Sequence, residues 1–313
     1  MKTLVVGAGA VGGYVGGRLV QAGREVDFLV RAGRAAELRE RGLRITDGAR
    51  VEEIAVSCVE AGALTGPYGL VLFCVKPDAL PAVADDIAPV VGGETVLVPF
   101  LNGMRHVDLL TERFGAGVLG GVLKVVTQLD PNGDIRQFAP GAQIQVGELD
   151  GTDSSRVSEV VSTLSAPDFA VTGTENILDA MWSKWVMIAT VGAVTSLARG
   201  TVGDAVATDE GADFASRTLD EAASVAAAAG HPLGENDHTA VRTMVTTAGA
   251  PTTSSLSREL LAGRPTEVEN VLGDLIDRAH ASDLGVPRLR AAALALRAHN
   301  ARVAAAAGAG STR

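Results

Sequence analysis

The stretch MKTLVVGAGAVGGYVGGRL, residues 1–19, decides the fold. Lys2–Val6 has the apolar, β-branched character of a buried strand. The loop Gly7-Ala8-Gly9-Ala10-Val11-Gly12 follows, and VGGRLVQAG continues it as a helix. Glu25–Val30 (EVDFLV) then reads as a second strand. Strand, glycine loop, helix and strand in that order form the start of a βαβ unit. In such a loop Gly7 permits the tight turn, Gly9 lets the backbone approach a pyrophosphate, and Gly12 lets helix and strand pack closely. The helix N-terminus adds unspent N–H groups and a positive dipole end. The N-terminus also resembles a signal peptide, with Lys2 before an apolar run. Glycines at phosphate-loop spacing argue against that reading.

The second strand ends at Val30-Arg31, where an Asp or Glu would accept the ribose 2′-hydroxyl of NAD. An arginine accommodates a 2′-phosphate instead. Arg31 therefore points to NADPH, with Arg34 as a helper. Leu70–Val75 (LVLFCV) is a continuous apolar run suited to a central parallel strand. It leads into Lys76-Pro77. Thr95–Pro99 leads into Asn102-Gly103. Ligands of open parallel sheets bind at the carboxyl ends of strands, which puts Lys76 and Asn102 in range of cofactor or substrate. Val118–Gln128, Asp134–Phe138 and Gln143–Val146 read as short strands extending the sheet antiparallel, followed by a helix over Arg156–Ser165.

Composition bounds the rest. The chain has 313 residues, 47% hydrophobic and 20% charged, which is a globular balance long enough for two domains. A net charge of -10 without a dense basic block argues against nucleic acid as partner. Cys58 and Cys74 offer neither a disulfide framework nor a metal cluster. By this reading no apolar run approaches the ~20 residues that span a bilayer, so the cytoplasm is expected and a membrane is not. The expected division is 1–173 for a Rossmann-type dinucleotide-binding α/β domain and 174–313 for an all-helical substrate domain. Val303–Arg313 reads as a fraying tail.

The run MWSKWVMIATVGAV, residues 181–194, carries one lysine in an apolar helix. Lys184, Ile188 and Gly192 share a face. Lys184 either snorkels at the helix edge or enters a cleft between the domains. Taken singly, Ser255 suits an N-cap or first-turn serine, and Glu267 a first-turn glutamate.

Taken together, GAGAVGGYVGGRL, CVKPDAL at Lys76, LNGM at Asn102, MWSKW at Lys184, the SSL and TEVEN pair, and GVP at 285–287 resemble the ketopantoate reductases (2-dehydropantoate 2-reductases). These belong to the 6-phosphogluconate-dehydrogenase-like group and act in pantothenate biosynthesis. The resemblance implies a catalytic role for Lys184 and Glu267, a substrate-binding Ser255, and an Asn102 that positions cofactor and substrate. It also implies that Lys76 lies near the cofactor and that Arg31 meets the 2′-phosphate. The reaction implied is NADPH-dependent reduction of a 2-keto acid, with 2-dehydropantoate the first candidate and a homodimer as the assembly. One departure matters. Where the family carries asparagines after the lysine, this chain has Ile188 and Gly192, and Leu272 departs the same way. Those residues imply a more apolar pocket, unless Thr190, Thr195, Ser196 or Glu267 holds a substrate hydroxyl. Two alternatives stay open: a reductase of the same fold acting on a more apolar carbonyl compound, and a non-catalytic NADPH-binding sensor.

Overall fold

The computed structural model describes residues 1–310. By internal contacts the chain separates into two compact units. One comprises Met1–Leu101 and His106–Leu178; the other comprises Asn102–Arg105 and the chain from Asp179 onward. The division falls later than 173/174, inside a helix. The short Asn102–Arg105 segment goes with the helical unit, although it follows a strand of the first.

The first unit begins with β1 (Thr3–Val6), α1 (Ala10–Gln21), β2 (Val26–Leu29) and α2 (Ala32–Arg41). Then come β3 (Leu43–Thr46), β4 (Val51–Ile54), β5 (Ser57–Val59), β6 (Leu70–Phe73), α3 (Leu80–Ile87), β7 (Val96–Pro99) and α4 (Arg105–Phe114). It ends with β8 (Leu119–Lys124), β9 (Thr127–Leu129), β10 (Ile135–Gln137), β11 (Ala142–Glu148), α5 (Ser155–Leu164) and β12 (Phe169–Gly173). Five strands form an all-parallel sheet in the order β5-β2-β1-β6-β7. Its central strands are buried on both faces, which explains their unbroken apolar sequence. Val5, Phe28, Leu72 and Val98 enter one core, and Leu4, Leu29, Phe73 and Leu97 the other. The chain reverses its direction across the sheet between β1 and β6, where doubly wound folds bind ligands.

The strands after β7 do not simply extend this sheet. Together with β3 and β4 they build two further sheets, β12-β11-β8 and β4-β3-β10-β9. Both are mixed: β11 runs antiparallel to β8 and parallel to β12, and β10 runs antiparallel to β9 and parallel to β3. An isolated parallel bridge, Leu97 to Val118, links the start of this region to β7. The expected strand over Val118–Gln128 breaks because its two ends pair in different sheets.

The second unit contains no strand among the described residues. It holds α6 (Ile177–Ala198), which begins at the unit boundary, then α7 (Val202–Val206), α8 (Gly211–Ala228), α9 (Glu235–Thr246), α10 (Ser255–Leu261), a π-helical turn over Glu269–Gly273, α11 (Asp274–Ala281) and α12 (Pro287–Gly310). Helix α12 continues to Gly310, past the expected fraying point at Val303, and 311–313 lie outside the described residues. Buried Glu221 on α8 accepts the backbone N–H groups of Arg288 and Leu289 and pairs with the Arg288 side chain, so it caps α12. Helix α6 corrects one expectation. Its 22 residues have a mean hydropathy of 1.3 in their most apolar window, enough by length and composition to cross a membrane. Most of that window is buried inside the protein, which identifies a core helix as the simpler cause of its apolarity.

Glu148, at the end of β11, is a buried carboxylate with a full set of donors. Arg156 donates from Nε at 2.7 Å and again from Nη2, and the Ser154 hydroxyl donates at 2.6 Å. The Arg156 guanidinium and the serine hold its carboxyl below the usual glutamate range. A depressed folded-state value stabilises the fold above the unfolded value of about 4.3, and that stabilisation fades as pH falls through the folded value. Glu148→Gln should therefore cost on the order of 1–2 kcal/mol at pH 7, allowing for the partial exposure of Arg156. Denaturant unfolding should show the deficit shrinking below about pH 4. A deficit that is unchanged in acid would exclude the ion pair as its source.

Candidate active site

Parallel strands β1, β2, β6 and β7 present their carboxyl ends on one edge of the sheet, with Val6 level with Leu29 and Phe73, and Phe73 level with Pro99. The glycine loop leaves β1 at this edge. Gly7 adopts φ +96, a left-handed conformation that a side chain would strain. A Cβ at Gly12 would stand 2.1 Å from the Gly7 carbonyl oxygen, so no larger residue fits there. A Cβ at Gly9 would meet nothing within 4 Å. The backbone at Gly9 is thus open to a close-fitting ligand. Gly9 is also the N-cap of α1 and supplies no capping side chain, so the first N–H groups of the helix are left for an anion. Ala8 is buried beneath this loop, and Ala10 and Val11 begin the helix. The cradle fits a dinucleotide pyrophosphate.

Arg31 is exposed at the N-cap of α2, immediately beyond β2. Arg34 is committed elsewhere. It pairs with Glu37 at 2.6 Å and donates to the Gly133 carbonyl at 3.2 Å, so two of its donors are engaged within the protein. Lys76 is exposed beyond β6 and caps a short turn. The preceding Cys74 and Val75 back directly onto Gly7. Burial pushes the Cys74 thiol up to about 12, so it stays protonated at neutral pH.

The other candidate residues belong to the helical unit. On α6, Trp182, Trp185, Val186, Ala189 and Ala193 are buried, while Lys184 and Ile188 lie on a half-buried edge. Helix α10 is fastened to α6 at two points. The Ser254 hydroxyl meets the Thr195 hydroxyl at 2.8 Å, and Leu256 Cδ1 lies 2.9 Å from where a Cβ at Gly192 would stand. Ser254, not Ser255, is the N-cap: it forms a capping box with Ser257. Ser255 is left exposed in the first turn, its hydroxyl outside the capping box. Glu267 is half-buried just before the π-helical turn, and its carbonyl accepts the N–H groups of Asn270 and Val271. Asn102 is half-buried, and the adjacent Gly103 sits against the same turn.

Two residues that sequence reasoning missed stand out. Leu256 fills the space at position 192 that a larger side chain would need. Trp185 donates its indole N–H to the Val271 carbonyl at 2.9 Å. The capping pattern Ser-x-x-Ser at 254–257 was visible in the sequence; the π-helical turn had no local signal. Of the hydroxyls that could replace an asparagine, Thr190 and Thr195 are fully buried and donate to backbone carbonyls of their own helix. Ser196 is buried as well.

Two family models match the chain: Ketopantoate reductase PanE/ApbA over residues 3–151 and Ketopantoate reductase PanE/ApbA C terminal over residues 176–300. The uncharacterized oxidoreductase YkpB of Bacillus subtilis is 33% identical over 291 residues, covering 92% of this chain and 95% of that protein. The crystal structure of a PanE/ApbA family ketopantoate reductase from Ralstonia eutropha JMP134 superposes with a TM-score of 0.86 at 24% identity, covering 97% of this chain and 99% of the other. A ternary structure of D-mandelate dehydrogenase with NADH and anilino(oxo)acetate gives 0.87 at 18% identity, with the same coverage of 97% and 99%. At those identities the structural likeness is one of fold. The family models across both units, together with the relative in Bacillus subtilis, show that the chain belongs to the PanE/ApbA ketopantoate reductase family, whose members are nicotinamide-dependent oxidoreductases.

Proposed function

We propose that the protein reduces a 2-keto acid to the 2-hydroxy acid with NADPH, with 2-dehydropantoate the first substrate to test. The observation that carries this reading is the way α6 holds its neighbours. The helix with Lys184 is fastened to the segment with Ser255 and to the turn that follows Glu267. An ammonium, a hydroxyl and a carboxylate thereby belong to one packed unit.

The reduced nicotinamide, when bound, supplies hydride to the substrate carbonyl carbon. Negative charge then develops on the carbonyl oxygen. Lys184 Nζ stabilises that charge and delivers the proton. The Ser255 hydroxyl donates a hydrogen bond to the substrate carboxylate. Glu267 orients Lys184, and Asn102 aligns the reacting groups. In the first unit, the loop from Gly7 to Gly12 with the N-terminus of α1 binds the pyrophosphate, Arg31 binds the 2′-phosphate, and Lys76 lies on the cofactor side.

A second reading, a substrate with an apolar group beyond C2, is favoured by the packing at Gly192. Leu256 already occupies that space, and the neighbouring Ile188 brings no hydrogen-bonding group to the Lys184 face. The same packing bears on design. An asparagine at 192 would have to push the Leu256 Cδ1 aside, so its cost depends on how far that side chain can turn away. A third reading, a dinucleotide sensor without catalysis, would be favoured if NADPH bound tightly while no 2-keto acid in a panel consumed it.

Two variants test the assignments. Arg31→Ala should weaken NADPH binding by on the order of 1.5–3 kcal/mol while leaving NADH binding nearly unchanged, because the loss is a charge-assisted contact to phosphate. Titrations that weaken equally for both cofactors would remove Arg31 from the 2′-phosphate. Lys184→Ala should lower kcat by about 10²–10⁴-fold, the usual worth of a general acid, with little change in NADPH affinity. Near-parental kcat in steady-state assays would return Lys184 to a snorkelling role.

A further inference from the structure

We infer that Trp185 is a positioning residue that sets the register between Lys184 and Glu267, an inference that rests on the roles proposed for those two residues. The indole is 1% exposed, and a buried indole N–H needs an acceptor. The acceptor here is the Val271 carbonyl, inside the π-helical turn. The N–H of the same Val271 bonds to the Glu267 carbonyl at 3.2 Å. Two hydrogen bonds therefore lead from the residue after Lys184 to the backbone of Glu267. A π-helical turn replaces the usual i→i−4 pattern and changes where its carbonyls point, which is why such turns recur at functional sites.

Two further observations converge on this turn. Gly103 has φ +82, and a Cβ there would stand 2.4 Å from the Asn270 carbonyl oxygen. The loop that carries Asn102 can press against the turn only because residue 103 is glycine. The indole itself is held from its faces. Trp182 lies 4.9 Å away between ring centroids, and the Arg278 guanidinium lies 5.7 Å from the rings of both tryptophans. The indole thus ties the turn to α6 by a hydrogen bond, with its ring packed against Trp182 and Arg278. Lys184, Glu267 and Asn102 come from three separate segments of chain, and each is within four residues of a contact to this one turn.

Steady-state kinetics of 2-dehydropantoate reduction across pH, on the full chain and on Trp185→Phe, Trp182→Phe and Lys184→Ala, tests the inference. Trp185→Phe keeps the aromatic packing and removes the donor. It should lower kcat by roughly 10–100-fold, the usual consequence of a reacting group displaced by about an ångström. It should also shift the pH profile of kcat, with KM and NADPH affinity within about threefold of the parent. Trp182→Phe should lower thermal stability and leave kcat within about twofold. The inference is overturned if Trp185→Phe keeps parental kcat and pH profile. It is equally overturned if Trp182→Phe, at a matched loss of thermal stability, lowers kcat as much as Trp185→Phe does.

If Trp185→Phe does not fold, the parent protein decides. Trp182 and Trp185 are its two tryptophans, so ¹⁵N-indole spectra contain two assignable signals. Adding NADPH and oxamate, an unreactive 2-keto acid analogue, should move the Trp185 signal and leave the Trp182 signal nearly in place. An unmoved Trp185 signal would overturn the inference. Failure of the functional reading looks different: the parent itself would then consume no NADPH with 2-dehydropantoate or any related 2-keto acid.

Discussion

A buried helix can carry a working ammonium only at its edge, because the interior penalises an uncompensated charge by several kcal/mol. Helix α6 meets that constraint. Its tryptophans, valines and alanines face the core, and Lys184 occupies the half-buried stripe. The apolarity of the helix is the condition for precision, since a rigidly packed backbone holds a flexible lysine stem at its base. Around it the ties are few and specific: the indole of Trp185 to Val271, the hydroxyl of Thr195 to Ser254, and the bare face of Gly192 against Leu256.

In the proposed function, the last of these ties bears on specificity. A glycine inside a helix is unfavourable by about 1 kcal/mol relative to alanine, so Gly192 needs a packing reason. Leu256 supplies it, since even a methyl group at 192 would crowd the leucine. Position 192 and position 256 therefore behave as a pair, and substitutions at the two should couple strongly rather than add. In the proposed reaction, Lys184, Ser255 and Glu267 bring polar groups to the carbonyl and carboxylate. The surface beside them at Ile188 and Leu256 offers only packing. Such a wall discriminates weakly, because an apolar contact cannot reject an isostere as sharply as an unmatched hydrogen bond can.

How much of this was legible in the sequence depended on whether the determinant was local. The loop from Gly7 to Gly12 was readable because each glycine serves a backbone need within a few residues, and the two-faced burial of β6 followed from an unbroken apolar run. Strand β4 was missed because its side chains are mostly exposed and charged, and β5 because three residues carry no period. The extra sheets could not be anticipated, since β3 with β10 and β11 with β12 are parallel pairings between distant segments. Arg34 looked like a partner for Arg31, but Glu37 and Gly133 engage two of its donors. Ser255 was rightly singled out as a first-turn serine, but the capping box that leaves its hydroxyl outside the cap depends on Ser254 and Ser257. The placement of Asn102 with the helical unit is a tertiary fact with no counterpart in the order of residues.

In the proposed function, this chain combines the keto acid chemistry of its family with an apolar wall beside Lys184. Steady-state kcat/KM with NADPH, for 2-dehydropantoate and for the same 2-keto acid lacking the hydroxyl, puts this combination to the test. Both acids should turn over, with values within about tenfold of each other, since no side chain at 188 or 192 is available to read the hydroxyl. A preference for the hydroxylated acid approaching 10⁴-fold would contradict the apolar wall. Turnover of neither acid would contradict the chemistry itself.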